Sequence, residues 1–162
     1  GWKGCDLRYD VLGSTNTNDG DATATTATNP VANTLMAALP SDLRAVMQPM
    51  TIYTDNTGGG SDNASYVTKT TDYLPLLAEY EIFGTRTYAN SAEKNYQAQY
   101  AYYSAGNSKV KYRHSATGST AWWWERSPYY GDSSSFCLVY ADGSADYDNA
   151  GNSIGVAPAF RV

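Results

Sequence analysis

The chain has 162 residues, 42% of them apolar, which is enough for one domain with a real core and too little for two. Acidic side chains outnumber basic ones 16 to 11, for a net charge of −5, and this excludes the basic stripe of a nucleic-acid binder. No apolar run approaches the roughly eighteen residues that a membrane span needs, so membrane insertion is not expected.

From the amino end, Gly1-Trp2-Lys3-Gly4-Cys5 has neither an initiator Met nor an apolar signal core, and reads as the start of a trimmed fragment. Residues 13 to 30 are turn formers almost throughout and predict a long exposed loop. Val31, Leu35, Met36, Ala38 and Leu39 recur at helical spacing, and Ser41-Asp42 after Pro40 predicts a second short helix over Leu43 to Met47. Thr51 to Thr54 is a strand candidate that runs into Asp55-Asn56-Thr57-Gly58-Gly59-Gly60-Ser61, whose glycines predict a flexible loop. Leu74 to Gly84 is apolar enough to enter the core, with its type undetermined. Asn90-Ser91-Ala92-Glu93 has the form of a capping box, and Tyr96, Tyr100 and Tyr103 follow at helical spacing until Gly106, which predicts a helix over 91 to 105. Beyond Lys109 the pattern turns to short strands, Ala121 to Arg126 and Phe136 to Tyr140 being the clearest. The whole predicts a single α+β domain over 1–162, two or three helices with short antiparallel strands.

Little catalytic chemistry is visible. His114 is the single histidine and lies in a polar stretch, where a solvated side chain is the expected reading. There is no nucleophile elbow, phosphate loop or His/Cys cluster, so neither catalytic residues nor a cofactor is expected. Cys5 and Cys137 are too few for a zinc site, and the sequence leaves open two free thiols or one long-range bridge. Asp142, Ser144, Asp146 and Asp148 alternate like the first half of a calcium loop but lack its terminal Glu. The other reading is a hairpin turn at Asp142-Gly143, and no metal is expected.

The informative anomaly is compositional. Ser127 to Val162 contains no Lys, Glu, Gln, Met or Trp, whereas the preceding 126 residues hold 19 of these. In their place, 20 of the 36 residues are Tyr, Ser, Asp, Gly or Asn, the palette of antibody contact loops. With 15 Tyr in the chain, more amphipathic rings are present than one core absorbs, which points to contact surfaces.

Trp123-Trp124-Glu125-Arg126-Ser127-Pro128, the strand Phe136-Cys137-Leu138-Val139 and the ending Gly155 to Val162 resemble the carboxyl terminus of variable proteins from diversity-generating retroelements. Gly1 to Arg8 and Leu39 to Val46 resemble gut phage and bacterial members of that family, so the likeness spans the chain, and a further amino-terminal portion is expected. The resemblance implies a C-type-lectin-like fold and a carboxyl-terminal surface, about 127–162, that binds a protein or cell-surface ligand from a phage virion tail or a bacterial cell surface. It also implies an adenine-directed copying process whose Asn-type codons never yield Lys, Glu, Gln, Met or Trp.

Position by position, the resemblance puts diversified, ligand-binding sites at Tyr129, Tyr130, Asp132, Ser133, Ser134, Ser135, Tyr140, Ala141, Asp142, Ser144, Asp146, Tyr147, Asp148, Asn149, Gly151, Asn152, Ser153 and Ile154. Phe136, Cys137, Val139, Gly143, Gly155, Val156 and Pro158 would be fixed scaffold, and Trp122, Trp123, Trp124 and Phe160 would bury large areas. Tyr129, Tyr140 and Tyr147 are expected on one contiguous face. The triplets by which sugar-binding lectins of this fold hold calcium are missing, so calcium-dependent sugar binding is not expected. Two other readings are a structural or adhesive surface module, and a relative of formylglycine-generating enzymes, which would need a reactive cysteine.

Overall fold

A computed structural model describes all of residues 1–162, a mixture of short helices and three small antiparallel sheets. The helices are α1 (Ala24–Thr28), α2 (Leu35–Ala38), α3 (Ser41–Val46), α4 (Glu79–Phe83) and α5 (Ala101–Ser104). The strands are β1 (Met50–Asp55), β2 (Val67–Asp72), β3 (Lys111–Arg113), β4 (Ala116–Ala121), β5 (Trp123–Pro128), β6 (Ser135–Val139) and β7 (Ala145–Asn149). β1 pairs with β2, β3 with β4, and β5, β6 and β7 form a sheet in that order.

The central strand β6 is covered on both faces. Leu138 opposite Trp124 belongs to the main apolar cluster with Trp2, Leu12, Met36, Leu74 and Leu76. Val139 opposite Trp123 packs on the other face with Ile82 and Tyr103. Phe160, expected to be buried, is instead exposed, because the tail ends along the surface beside Gln48.

Polar side chains tie the segments around this sheet. Asp72 accepts hydrogen bonds from the guanidinium of Arg8, the indole of Trp2 and the hydroxyls of Ser14 and Thr70, all buried. Arg126 donates to both oxygens of Glu81 at 2.6 and 2.7 Å, to Thr54 at 2.7 Å and to the Leu76 carbonyl at 2.8 Å. The border of the carboxyl-terminal segment is set by Ser127, whose hydroxyl donates to Glu93 at 2.6 Å and accepts from the Glu79 N–H. Gly155 closes the segment at its far end: its N–H donates to the Trp122 carbonyl, its carbonyl accepts from the Trp124 N–H, and a Cβ there would stand 2.9 Å from the Trp122 oxygen. Only glycine allows so close a backbone approach.

Three sequence expectations need correction. Residues 13 to 30 are not an exposed loop, since Gly13, Ser14, Thr15, Thr26 and Ala27 are buried and Ser14 serves Asp72 and the Leu74 N–H. Asp55 orders the Gly-rich loop by accepting from the N–H groups of Thr57 (3.0 Å) and Gly58 (2.7 Å). Residues 91 to 105 do not make one helix. Asn90 caps a single 3-10 turn as expected, accepting from the Ala92 N–H, but Glu93 turns inward to Ser127 and the Asp55 N–H, and the chain runs extended before α5. A tertiary demand on one carboxylate outweighs local helical spacing here.

Candidate ligand-binding surface

The first residues past Ser127 are placed by two crossings. Tyr129 donates its N–H to Ser135 and bridges to Ala89, and the Tyr130 N–H donates to the Tyr88 carbonyl. Tyr147 sits opposite Cys137 on β7. These pairings stack the Tyr129 and Tyr147 rings at 3.9 Å between centres, with Tyr88 edge-on to Tyr147 at 4.9 Å and Tyr130 edge-on to Tyr129 at 5.4 Å. Arg86 lies 4.2 Å over the Tyr130 ring and pairs with Asp62 at 3.2 Å. Four tyrosines and one guanidinium thus form a partly exposed aromatic platform, of the kind that supplies contact area at low conformational-entropy cost. Partial desolvation pushes the Tyr88 and Tyr129 hydroxyls up, so both stay protonated and able to donate at neutral pH.

Beside the platform, residues 131–134 form a turn held by Asp132, whose carboxylate accepts from the Ser134 N–H and hydroxyl. The turn lies against Gly60, where a Cβ would come within 2.9 Å of the Asp132 backbone. At the other end of the sheet the expected hairpin is present: Gly143 has φ of 90° and Asp142 accepts from the Ser144 N–H and hydroxyl, bonds that hold its carboxyl below the usual range. Asp146 and Asp148 accept from the N–H groups of Tyr147 and Asn149, so their carboxylates cover the outer edge of β7.

The positions expected to be diversified do not all share one face. Tyr129, Tyr130, Asp132, Ser133, Ser134 and Tyr147 gather around the platform. Tyr140 packs instead on Trp122 at 4.5 Å, next to the hairpin residues Ala141, Asp142 and Ser144, which separates it from the other two tyrosines. Gly151, Asn152, Ser153 and Ile154 line a third place, a cleft of about 610 Å3 against Trp2, Leu7, Trp124 and Phe136. Ser135 is buried, because it is the first residue of the covered strand β6 and offers no surface to a ligand. Asp146 and Asp148 are half-buried, and Asn149 is exposed.

Tyr88, Arg86 and Asp62 are the members of this surface that sequence reasoning does not reach. They lie far from the compositional gap, and the one signal for Tyr88 is the general excess of tyrosine.

Beneath the surface the acid chemistry is unusual. Glu79 accepts from three successive N–H groups, Thr87, Tyr88 and Ala89, and so fixes the base of the platform. Burial lifts Glu93 to about 7 against the bonds that Ser127 and Asp55 give it. Glu125 is fully buried with neither oxygen hydrogen-bonded, and desolvation, helped by the charges of Glu79 and Glu93, pushes it well above the carboxylate range. Burial there favours the neutral form of the acid. Both thiols are free, and burial pushes Cys5 and Cys137 up.

No helix is long and apolar enough to cross a membrane. No curated protein and no solved structure matches the chain. One family model, described as a domain of unknown function, DUF6273, matches residues 2–162, and since that is nearly the full length, the chain belongs to the DUF6273 family.

Proposed function

We propose that this domain is a ligand-binding display protein of C-type-lectin-like fold, whose carboxyl-terminal surface is diversified by a retroelement and recognises a protein or cell-surface ligand. The carrying observation is the absence of Lys, Glu, Gln, Met and Trp from residues 127–162, a gap that residues 4–35 share, joined in 127–162 to a Tyr, Ser, Asp, Gly and Asn palette on side chains that outside β6 are mostly exposed or half-buried. Trp123, Trp124, Leu138 and Val139 bury a scaffold beneath it, so exchange of exposed residues costs little stability. On this reading the Tyr129/Tyr147 platform is the main contact area, carried on a phage virion tail or a bacterial cell surface. The formylglycine-generating alternative draws no support from the thiols, since burial raises both rather than activating either.

Sequencing the DNA beside the gene tests the proposal. A reverse-transcriptase gene and a near-identical repeat with Asn codons at the diversified positions are expected, and the absence of both overturns it.

A further inference from the structure

Residues 94 to 124 contain no Asp or Glu, in a chain that is acidic overall, and carry Lys94, Lys109, Lys111, Arg113 and His114. Lys111 and Arg113 lie on β3 and His114 follows in the turn to β4. None of these cations is ion-paired, the three ion pairs being Arg8 with Asp72, Arg86 with Asp62 and Arg126 with Glu81. Lys111 instead stands 5.6 Å over the Trp123 ring. The β3–β4 arm therefore projects uncompensated positive charge on an acidic molecule.

A second observation concerns the backbone. β4 pairs with β3 on one side, and no backbone hydrogen bond reaches its other edge. Its sequence Ala-Thr-Gly-Ser-Thr-Ala is exposed up to Thr120 and holds no charge and no proline, so the one device on this edge is a bulge over residues 117–119, where the register with β3 shifts. β7, an outer strand of the three-stranded sheet, has a charged device in Asp146 and Asp148. A cleft of about 650 Å3 lies between the arm and residues 153–156, with Lys111, Arg113, His114, Trp122 and Ile154 in its walls.

We propose that the free edge of β4 takes up an extended acidic peptide segment of a partner protein as an added strand. Its carboxylates meet Lys111, Arg113 and His114, while its N–H and C=O groups pair with those of β4. The open edge favours a peptide over other polyanions. A nucleic acid or an anionic polysaccharide can answer the charges but cannot continue a β ladder. The β4 edge and its cations lie outside residues 127–162, although Ser153 and Ile154 of that segment border the adjoining cleft, and the strand pairing stands whether or not that surface is diversified.

The probe is a fluorescent eight-residue peptide of alternating Thr and Glu, titrated against the full chain by anisotropy. Saturable binding is expected, weakened about tenfold or more by Lys111→Glu with Arg113→Glu, which reverses the charge on a rim. N-methylation of alternate peptide bonds is expected to abolish binding in one frame and spare it in the other, as a ladder with alternating bonds requires. Lack of binding up to about 1 mM, equal binding of the two methylated frames, or equally tight binding of a single-stranded oligonucleotide overturns the proposal. Should the double variant not fold, the methylated peptides decide the matter on the unaltered protein.

Discussion

Glu93 is a buried acid held in place by a serine hydroxyl and a backbone N–H, and its proton has a consequence for stability. Because its folded value of about 7 lies above the ordinary 4.5, the native state binds the proton more tightly than the unfolded chain. The stabilisation this represents is complete below pH 4.5, is lost as pH rises to 7 and is flat beyond, on the order of 3 kcal/mol in all. Glu93→Gln removes that dependence, and urea unfolding across pH 4 to 8 is expected to show a flatter profile than the parent. Asp72 is a buried acid of another kind, paired with the Arg8 guanidinium and serving three further donors. Asp72→Asn leaves the buried guanidinium without its counter-charge, and a loss of about 3–5 kcal/mol is expected in the same measurement.

At the scale of elements, the outer strands β4 and β7 differ in how they meet solvent. Asp146 and Asp148 use their own carboxylates to occupy N–H groups of β7, so the strand is closed to a neighbour without a covering helix. Replacing both by Ala opens the edge, and concentration-dependent self-association is expected in sedimentation velocity where the parent stays at its starting size. The aspartates were legible in the sequence as an alternating acidic series, yet their use was not, because the same spacing fits a cation loop, a hairpin and an edge guard. The hairpin at Asp142-Gly143 and the strands around Trp123 and Leu138 were legible because turn chemistry and β-branched or aromatic runs act locally. The single helix that spacing predicts over 91 to 105 does not form for the converse reason: Glu93 answers to Ser127 and Asp55, distant in the chain, and no local pattern reports such a partner.

For the whole molecule, the core comes from aromatic and aliphatic residues of every segment, with polar networks centred on Asp72 and Arg126, and no disulfide joins its two cysteines. Cys137 is buried beside the Pro128 carbonyl and Cys5 stands apart and unbridged, so the melting temperature is expected to be unchanged by reductant. It is likewise expected to be unchanged by a chelator, since the Asp142 carboxylate is taken by Ser144 and those of Asp146 and Asp148 by backbone N–H groups. A fall of many degrees on either treatment overturns that account. The platform was legible only in its carboxyl-terminal half. Tyr129, Tyr130 and Tyr147 stood out by composition, but Tyr88 and Arg86 joined them through Glu79, whose three N–H partners no sequence pattern connects to it.

The bonds that Gly155 makes on either side of Trp123 mean that the stretch beginning at Ser127 returns to the strand it left. Its two ends are therefore already joined, and chain added between them pays only the slow logarithmic cost of a longer closed loop, about 0.6 kcal/mol per doubling. Six Gly and Ser residues inserted after Gly151, which is exposed, are expected to lower the melting temperature by no more than a few degrees. The same insertion inside β6 breaks pairing with both neighbours at once. Length, as well as side-chain identity, is a free variable of this segment wherever it leaves the sheet.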